Sequence, residues 1–288
     1  MIARAAAERG ARALGWIAQN VDRLKPSSKR PLPPQLVALG ELALLVHLLA
    51  RSRNPDRAAL GTCRSALVEM YDEQMFEAAT RDDSSAVFNA WLTMLLGLPK
   101  EVRRRPPGSD DPNTFARERL PHRALELSWL FGALEWSSPY LRSIEDLYRS
   151  SYLARPHAIA NATLADCYAV THAIAYVTDF GARRFFDEDA WANVVADGHA
   201  ILALALEWEN YDLVAETLAA LRWLHAPGDE RQEHAWQTLA GRQLRSGAVP
   251  ALTGTAEFDD ALATAQDVPS LFLFFYHPTL VTAIAALD

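Results

Sequence analysis

The sequence predicts an all-α protein built from antiparallel helix pairs, and three observations carry that expectation. Apolar residues recur at helical spacing through almost the whole chain. Pro, Gly, Asp and Asn fall where such runs begin and stop. Half of the 288 residues are hydrophobic and only 22% are charged, so a large core can be buried. About eleven or twelve helices joined by short turns imply antiparallel neighbours. No sequence repeat of fixed period is present. Two architectures fit: an α/α arc or toroid around a central cavity, or an irregular compact helical bundle. Both sides of the chain share one composition, so residues 1–288 are expected to form a single all-helical domain.

The N-terminal segment 1–24 reads as an amphipathic helix with Leu14, Ile17 and Val21 on one stripe. Residues 25–34 hold closely spaced prolines and form a linker. A second helix, from about Gln35 to Ser52, is apolar nearly all round and therefore buried. Asn54-Pro55-Asp56 caps a third, reaching about Thr80, and the next ends near Gly97-Leu98-Pro99. Residues 100–114 are the most loop-like stretch and the segment suited to move. Helices follow at about 116–136, 139–154, 158–180, 187–208, 210–225, 230–246 and 256–266, and the chain ends in a helix from Ser270 to Leu287. Leu271 to Tyr276 could be read as a strand, but an isolated strand has no partner, which favours a buried helix.

A net charge of -8 argues against a nucleic-acid partner, whose phosphates need an excess of Lys and Arg on one face. Cys63 and Cys167 are too few for a disulfide framework. Lys occurs only at Lys25, Lys29 and Lys100 beside abundant Arg and Ala, the composition expected of a high-GC bacterium. No signal segment is read at the start, and the longest strongly apolar run, Leu42 to Ala50, is about half a membrane span. These readings predict a cytoplasmic protein with no membrane span.

One helix stands out. On 158–180, Leu164, Cys167, Thr171, Ile174 and Val177 make a packing stripe. Tyr168, His172, Tyr176 and Asp179 make a second stripe that is aromatic and polar together. Solvent-facing stripes normally carry Arg, Glu or Gln, and core-facing stripes do not normally carry His and Asp; a cavity wall accommodates both, and the alternative is a buried His bonded to a backbone carbonyl with Asp179 in a helix-terminal hydrogen bond. His172 is then a general acid or base, with Tyr176 and Asp179 as catalytic companions and Tyr168 on the substrate. Further substrate contacts are expected from His122 and Glu126, one turn apart, from nearby Trp129, and from His277. Pro278 suits a first helical turn, which would place His277 at a helix entrance. No metal or cofactor set is assembled: phosphate loops, His-Glu-x-x-His, Cys-x-x-Cys and paired Glu-x-x-His motifs are missing.

Thr171-His172 through Thr178-Asp179-Phe180-Gly181, with Tyr276-His277-Pro278-Thr279, resembles a family of uncharacterised actinobacterial proteins encoded among natural-product genes. The resemblance implies a bacterial setting in specialised metabolism and no particular activity. The expected function is an enzyme acting by acid–base chemistry (cyclisation, isomerisation or hydrolysis) on a small, largely apolar substrate in a helical cavity. The alternatives are a scaffold for a partner protein or carrier domain, and a non-catalytic small-ligand binder. A small-molecule ligand and a homodimer are the expected partners.

Overall fold

The computed structural model describes residues 2–26, 33–72, 74–81, 84–105, 111–155, 158–252 and 269–287. The described residues form helices and no strand; the one extended feature among them is an isolated bridge between Asn210 and Leu252. The all-α expectation holds. The chain divides into two compact units, Asn20–Arg149 and Met1–Gln19 with Ser150–Asp288.

In the unit spanning Asn20–Arg149, α2 (Pro33–Arg51) lies along α5 (Ser85–Gly97), flanked by α3 (Arg57–Met70), α4 (Gln74–Arg81) and α7 (Pro121–Ala133). Both helices of the central pair are apolar nearly all round, so each is buried on most faces. Gly40 makes the close approach possible, because a Cβ there would sit 2.7 Å from the carbonyl oxygen of Ala90. Asp56 caps α3 through the backbone N–H groups of Ala58 and Ala59, and the Arg103 side chain donates to the carbonyls of Leu96 and Leu98 past the end of α5. α2 is long and apolar enough to cross a membrane by length and composition, but more than half of its apolar stretch is buried inside the unit, as in a core helix. The predicted helix 116–136 shortens to α7, which Pro121 starts, and a short helix, α6 (Pro112–Ala116), stands at the end of the stretch expected to be a loop. The predicted helix 139–154 shortens to α8 (Ile144–Ser150) and a 3-10 turn at Tyr152–Ala154.

In the other unit, α11 (Tyr211–Trp223) is the axis. It packs against α9 (Leu164–Val177), α10 (Glu188–Glu207), α12 (Glu230–Arg242) and α13 (Pro269–Ala285). Every residue from Tyr211 to Leu221 is buried. α1 (Ile2–Asn20) joins this unit with Leu14 and Ile17 buried and Trp16 stacked on Phe272 at 5.6 Å. Arg12 donates to the Leu244 carbonyl at 2.7 Å. Leu271 to Tyr276 is helical, as expected, because α13 starts at Pro269.

That early start corrects the reading of Pro278, which stands inside α13 and not in its first turn. The helix continues through it because its apolar faces are packed, with Phe275, Leu280 and Ile284 buried. The packing of each unit fits the irregular bundle, and the arc or toroid stays an expectation. The predicted helix 256–266, much of the 25–34 linker and part of the 100–114 loop lie outside the described residues.

Candidate functional site

Three helices of the second unit bring one polar cluster together. α9 is started by a capping box: the Thr163 hydroxyl accepts from the Asp166 N–H at 3.3 Å, and the Asp166 carboxylate accepts from the Thr163 N–H at 2.9 Å. α11 is started by Asn210, whose side-chain oxygen accepts from the Leu213 N–H at 3.0 Å. On α11 the two acids, Asp212 and Glu216, are one turn apart and share a face of a helix otherwise rich in Leu, Ala and Val. α13 contributes His277 and α9 contributes Tyr168, Thr171 and His172.

The geometry is reciprocal. His277 Nε2 lies 3.3 Å from Asp212 Oδ1 and 3.5 Å from Glu216 Oε1. His172 Nε2 lies 3.8 Å from the same Glu216 Oε1. The remaining carboxylate oxygens are held from α9: the Tyr168 hydroxyl donates to Asp212 Oδ2 and the Thr171 hydroxyl donates to Glu216 Oε2, each at 2.6 Å. His172 Nδ1 stands 2.7 Å from the Tyr168 carbonyl oxygen, which can only accept, so Nδ1 carries a hydrogen. Tyr176 stacks on the His172 ring at 6.5 Å with 10° between planes. The carboxylates are buried, whereas the His172 and His277 side chains are 27% and 34% exposed, with His277 Nδ1 itself enclosed.

The electrostatics follow from this packing. Burial pushes the Glu216 carboxyl up. The opposing effects are larger together: the His172 charge, the bond and charge of His277 and the Thr171 hydroxyl hold it well below the usual carboxylate range. Burial raises the Tyr168 phenol, and the charges of Asp212 and Glu216 and its bond to Asp212 raise it further. It therefore stays protonated and keeps donating to Asp212.

Of the residues expected at the site, His172, Tyr168, Tyr176 and His277 lie in this unit and on these helices. Asp179 does not continue the stripe. α9 ends at Val177, Thr178 caps it, and Asp179 turns out of the helix with φ of 48°. Arg183 donates to the Val177 carbonyl from Nε and Nη2 at 3.0 and 2.8 Å, which closes the helix early. Thr171, assigned to packing, is a partner of Glu216. His122, Glu126 and Trp129 belong to α7 in the other unit. There Glu126 accepts from Arg123 and from Asn89 at 2.9 and 2.8 Å, and Trp129 is buried edge-on against His47.

Sequence reasoning missed Asp212 and Glu216. An Asp-x-x-x-Glu pair on a helix reads as a solvated edge, and only the apolar run of its neighbours hints otherwise.

A second feature of this unit is a pocket of about 490 Å³ beyond the end of α9, lined by Arg184, Phe185, Trp191, Trp223 and His225 among others.

Fold and site together define an all-α protein whose second unit carries two histidines set against two buried carboxylates. The chain belongs to the family described as a domain of unknown function (DUF6895), whose model matches residues 10–287. No curated protein matches the chain.

Proposed function

We propose that the protein is an enzyme that acts by acid–base chemistry on a small, largely apolar substrate beside His172 and His277. The observation that carries this reading is the pair of partly exposed imidazoles held against carboxylates buried on the central helix. Burying two carboxylates one turn apart costs stability unless they are well paired, and apolar residues there would pack at less cost. Such an arrangement is retained where its chemistry is used.

A proton gained by the His277 ring makes an imidazolium whose Nε2 faces Asp212 at 3.3 Å and Glu216 at 3.5 Å. Both stabilise the charge as it forms. His172, held in orientation by the Tyr168 carbonyl and by the Tyr176 ring, approaches the same Glu216 oxygen at 3.8 Å and serves as the second proton carrier. The aromatic rings of Tyr176 and Phe180, in edge contact at 5.8 Å, suit an apolar substrate body. The proposed setting, bacterial specialised metabolism, is supported by the Arg- and Ala-rich composition and by the resemblance carried by the Thr171–Gly181 and Tyr276–Thr279 motifs.

The test is turnover of a panel of small apolar metabolites, followed by mass spectrometry, with wild type, His172→Ala and His277→Gln. Both variants should retain their fold and lose turnover by roughly 10²–10⁴-fold. Turnover within a few-fold of wild type in both variants refutes the assignment. A second reading, a non-catalytic small-ligand binder, is favoured by the pocket of about 490 Å³. It predicts ligand binding by wild type without conversion of any ligand.

A further inference from the structure

We propose that the same cluster is a binding site for one divalent first-row transition-metal ion, ligated by Asp212 Oδ1, Glu216 Oε1 and His277 Nε2, with His172 Nε2 beside Glu216 outside that donor set. The site is the cluster of the proposed function, and an ion on His277 Nε2 displaces the proton-carrying role given to that ring, so the test below separates the two readings.

Spacing is the first argument. Zinc-type ions bind carboxylate oxygen and imidazole nitrogen at roughly 2.0–2.2 Å, so the donors of a tetrahedral site stand roughly 3.3–3.6 Å apart. The His277–Asp212 and His277–Glu216 separations are 3.3 and 3.5 Å, and His172–Glu216 is 3.8 Å. The three donor atoms all lie within 4.8 Å of one another. A charge-assisted hydrogen bond would draw nitrogen and oxygen to about 2.7–2.9 Å, shorter than any of these separations.

The outer contacts are the second argument. Metal-binding carboxylates and imidazoles are normally fixed through the atom that does not touch the ion. Each carboxylate here is held by one oxygen, from Tyr168 or Thr171, and presents the other to the cluster. His172 commits Nδ1 to a backbone carbonyl and turns Nε2 inward.

Charge and rigidity agree. One divalent cation neutralises Asp212 and Glu216 together. All donors sit on packed helices, and Asp212 and Glu216 are adjacent on the same face of α11. One nitrogen and two oxygen donors suit zinc, manganese or iron better than magnesium or calcium, which favour oxygen alone. The partial exposure of both histidines gives an entry path.

The test uses the full chain, stripped with a chelator and titrated with Zn²⁺ or Mn²⁺ alone by calorimetry, alongside thermal melting. Wild type should bind one equivalent of at least one ion and gain melting temperature. Asp212→Asn and His277→Ala should each bind at least 10-fold more weakly. His234→Ala, an exposed histidine on α12, should match wild type. Failure of wild type to bind either ion overturns the inference, as does equal binding by the Asp212 and His277 variants. Turnover that persists in chelator with no ion bound overturns the metal and leaves the acid–base reading standing. A bound ion with no turnover of any substrate does the reverse.

Discussion

Replacing Thr171 with valine isolates one bond at the heart of the cluster. The Thr171 hydroxyl stands 2.6 Å from Glu216 Oε2 and 3.0 Å from the Tyr168 carbonyl. A hydroxyl has one hydrogen, and the shorter contact to a charged acceptor takes it. Valine keeps the shape and the β-branching, so helix propensity and packing change little. What is lost is a donor to a buried carboxylate, worth about 2 kcal/mol. Glu216 is 7% exposed, so water does not readily replace that donor.

If the unit of roughly 160 residues around α11 melts cooperatively, 2 kcal/mol lowers its melting temperature by about 6 °C. Calorimetry at neutral pH measures the shift, and Thr171→Ser, which keeps the hydroxyl, is the control. A Thr171→Val protein melting within 1 °C of both wild type and Thr171→Ser would refute the claim that Glu216 depends on this donor.

Two further outcomes follow from packing and titration. Cys63 is fully buried, and burial, helped by the charge of Asp56, pushes its thiol up to about 11 from 9.0. The folded state therefore holds the proton longer than the unfolded chain. Stability should fall as pH rises from about 9 to 11, by about 3 kcal/mol in total, and iodoacetamide at pH 8 should label Cys63 only after unfolding. Rapid labelling of Cys63 in the native protein would contradict this.

Gly40→Ala sets a Cβ against the Ala90 backbone at 2.7 Å and should destabilise by at least 1–3 kcal/mol. Gly15→Ala, inside α1 with nothing within 4 Å of the new Cβ, should stabilise by up to about 1 kcal/mol. Denaturant melts of the two variants should move in opposite directions.

Much of the architecture was legible in the sequence. Local chemistry writes helix boundaries: Asp56, Asp187, Asn210 and Asp229 all sit at the N-caps where their type and spacing put them. The apolar run of α2 announced burial. The fine positions did not follow. Asp179 fits the stripe of α9 at ideal periodicity, yet Arg183, six residues beyond Val177, donates to its carbonyl and ends the helix first. Pro278 looked like a helix start because proline is at home there, and only the packed faces of α13 explain why the helix begins earlier.

The chemistry-bearing face of α9 was also visible, since Tyr168 and His172 repeat at one turn with aromatic neighbours. What the sequence alone determined is therefore the helical class, most of the boundaries and one unusual stripe, because propensity, capping and periodicity act within about a dozen residues. The tertiary structure decided what that stripe faces. Tyr168 and Asp212 are 44 residues apart in the chain and 2.6 Å apart in space, and His277 closes on both acids from a third helix. No local pattern encodes that meeting. It arises because α11 is buried along its length by α9, α10, α12 and α13, which converts an ordinary-looking Asp-x-x-x-Glu pair into two enclosed carboxylates that need histidine, hydroxyl or metal partners.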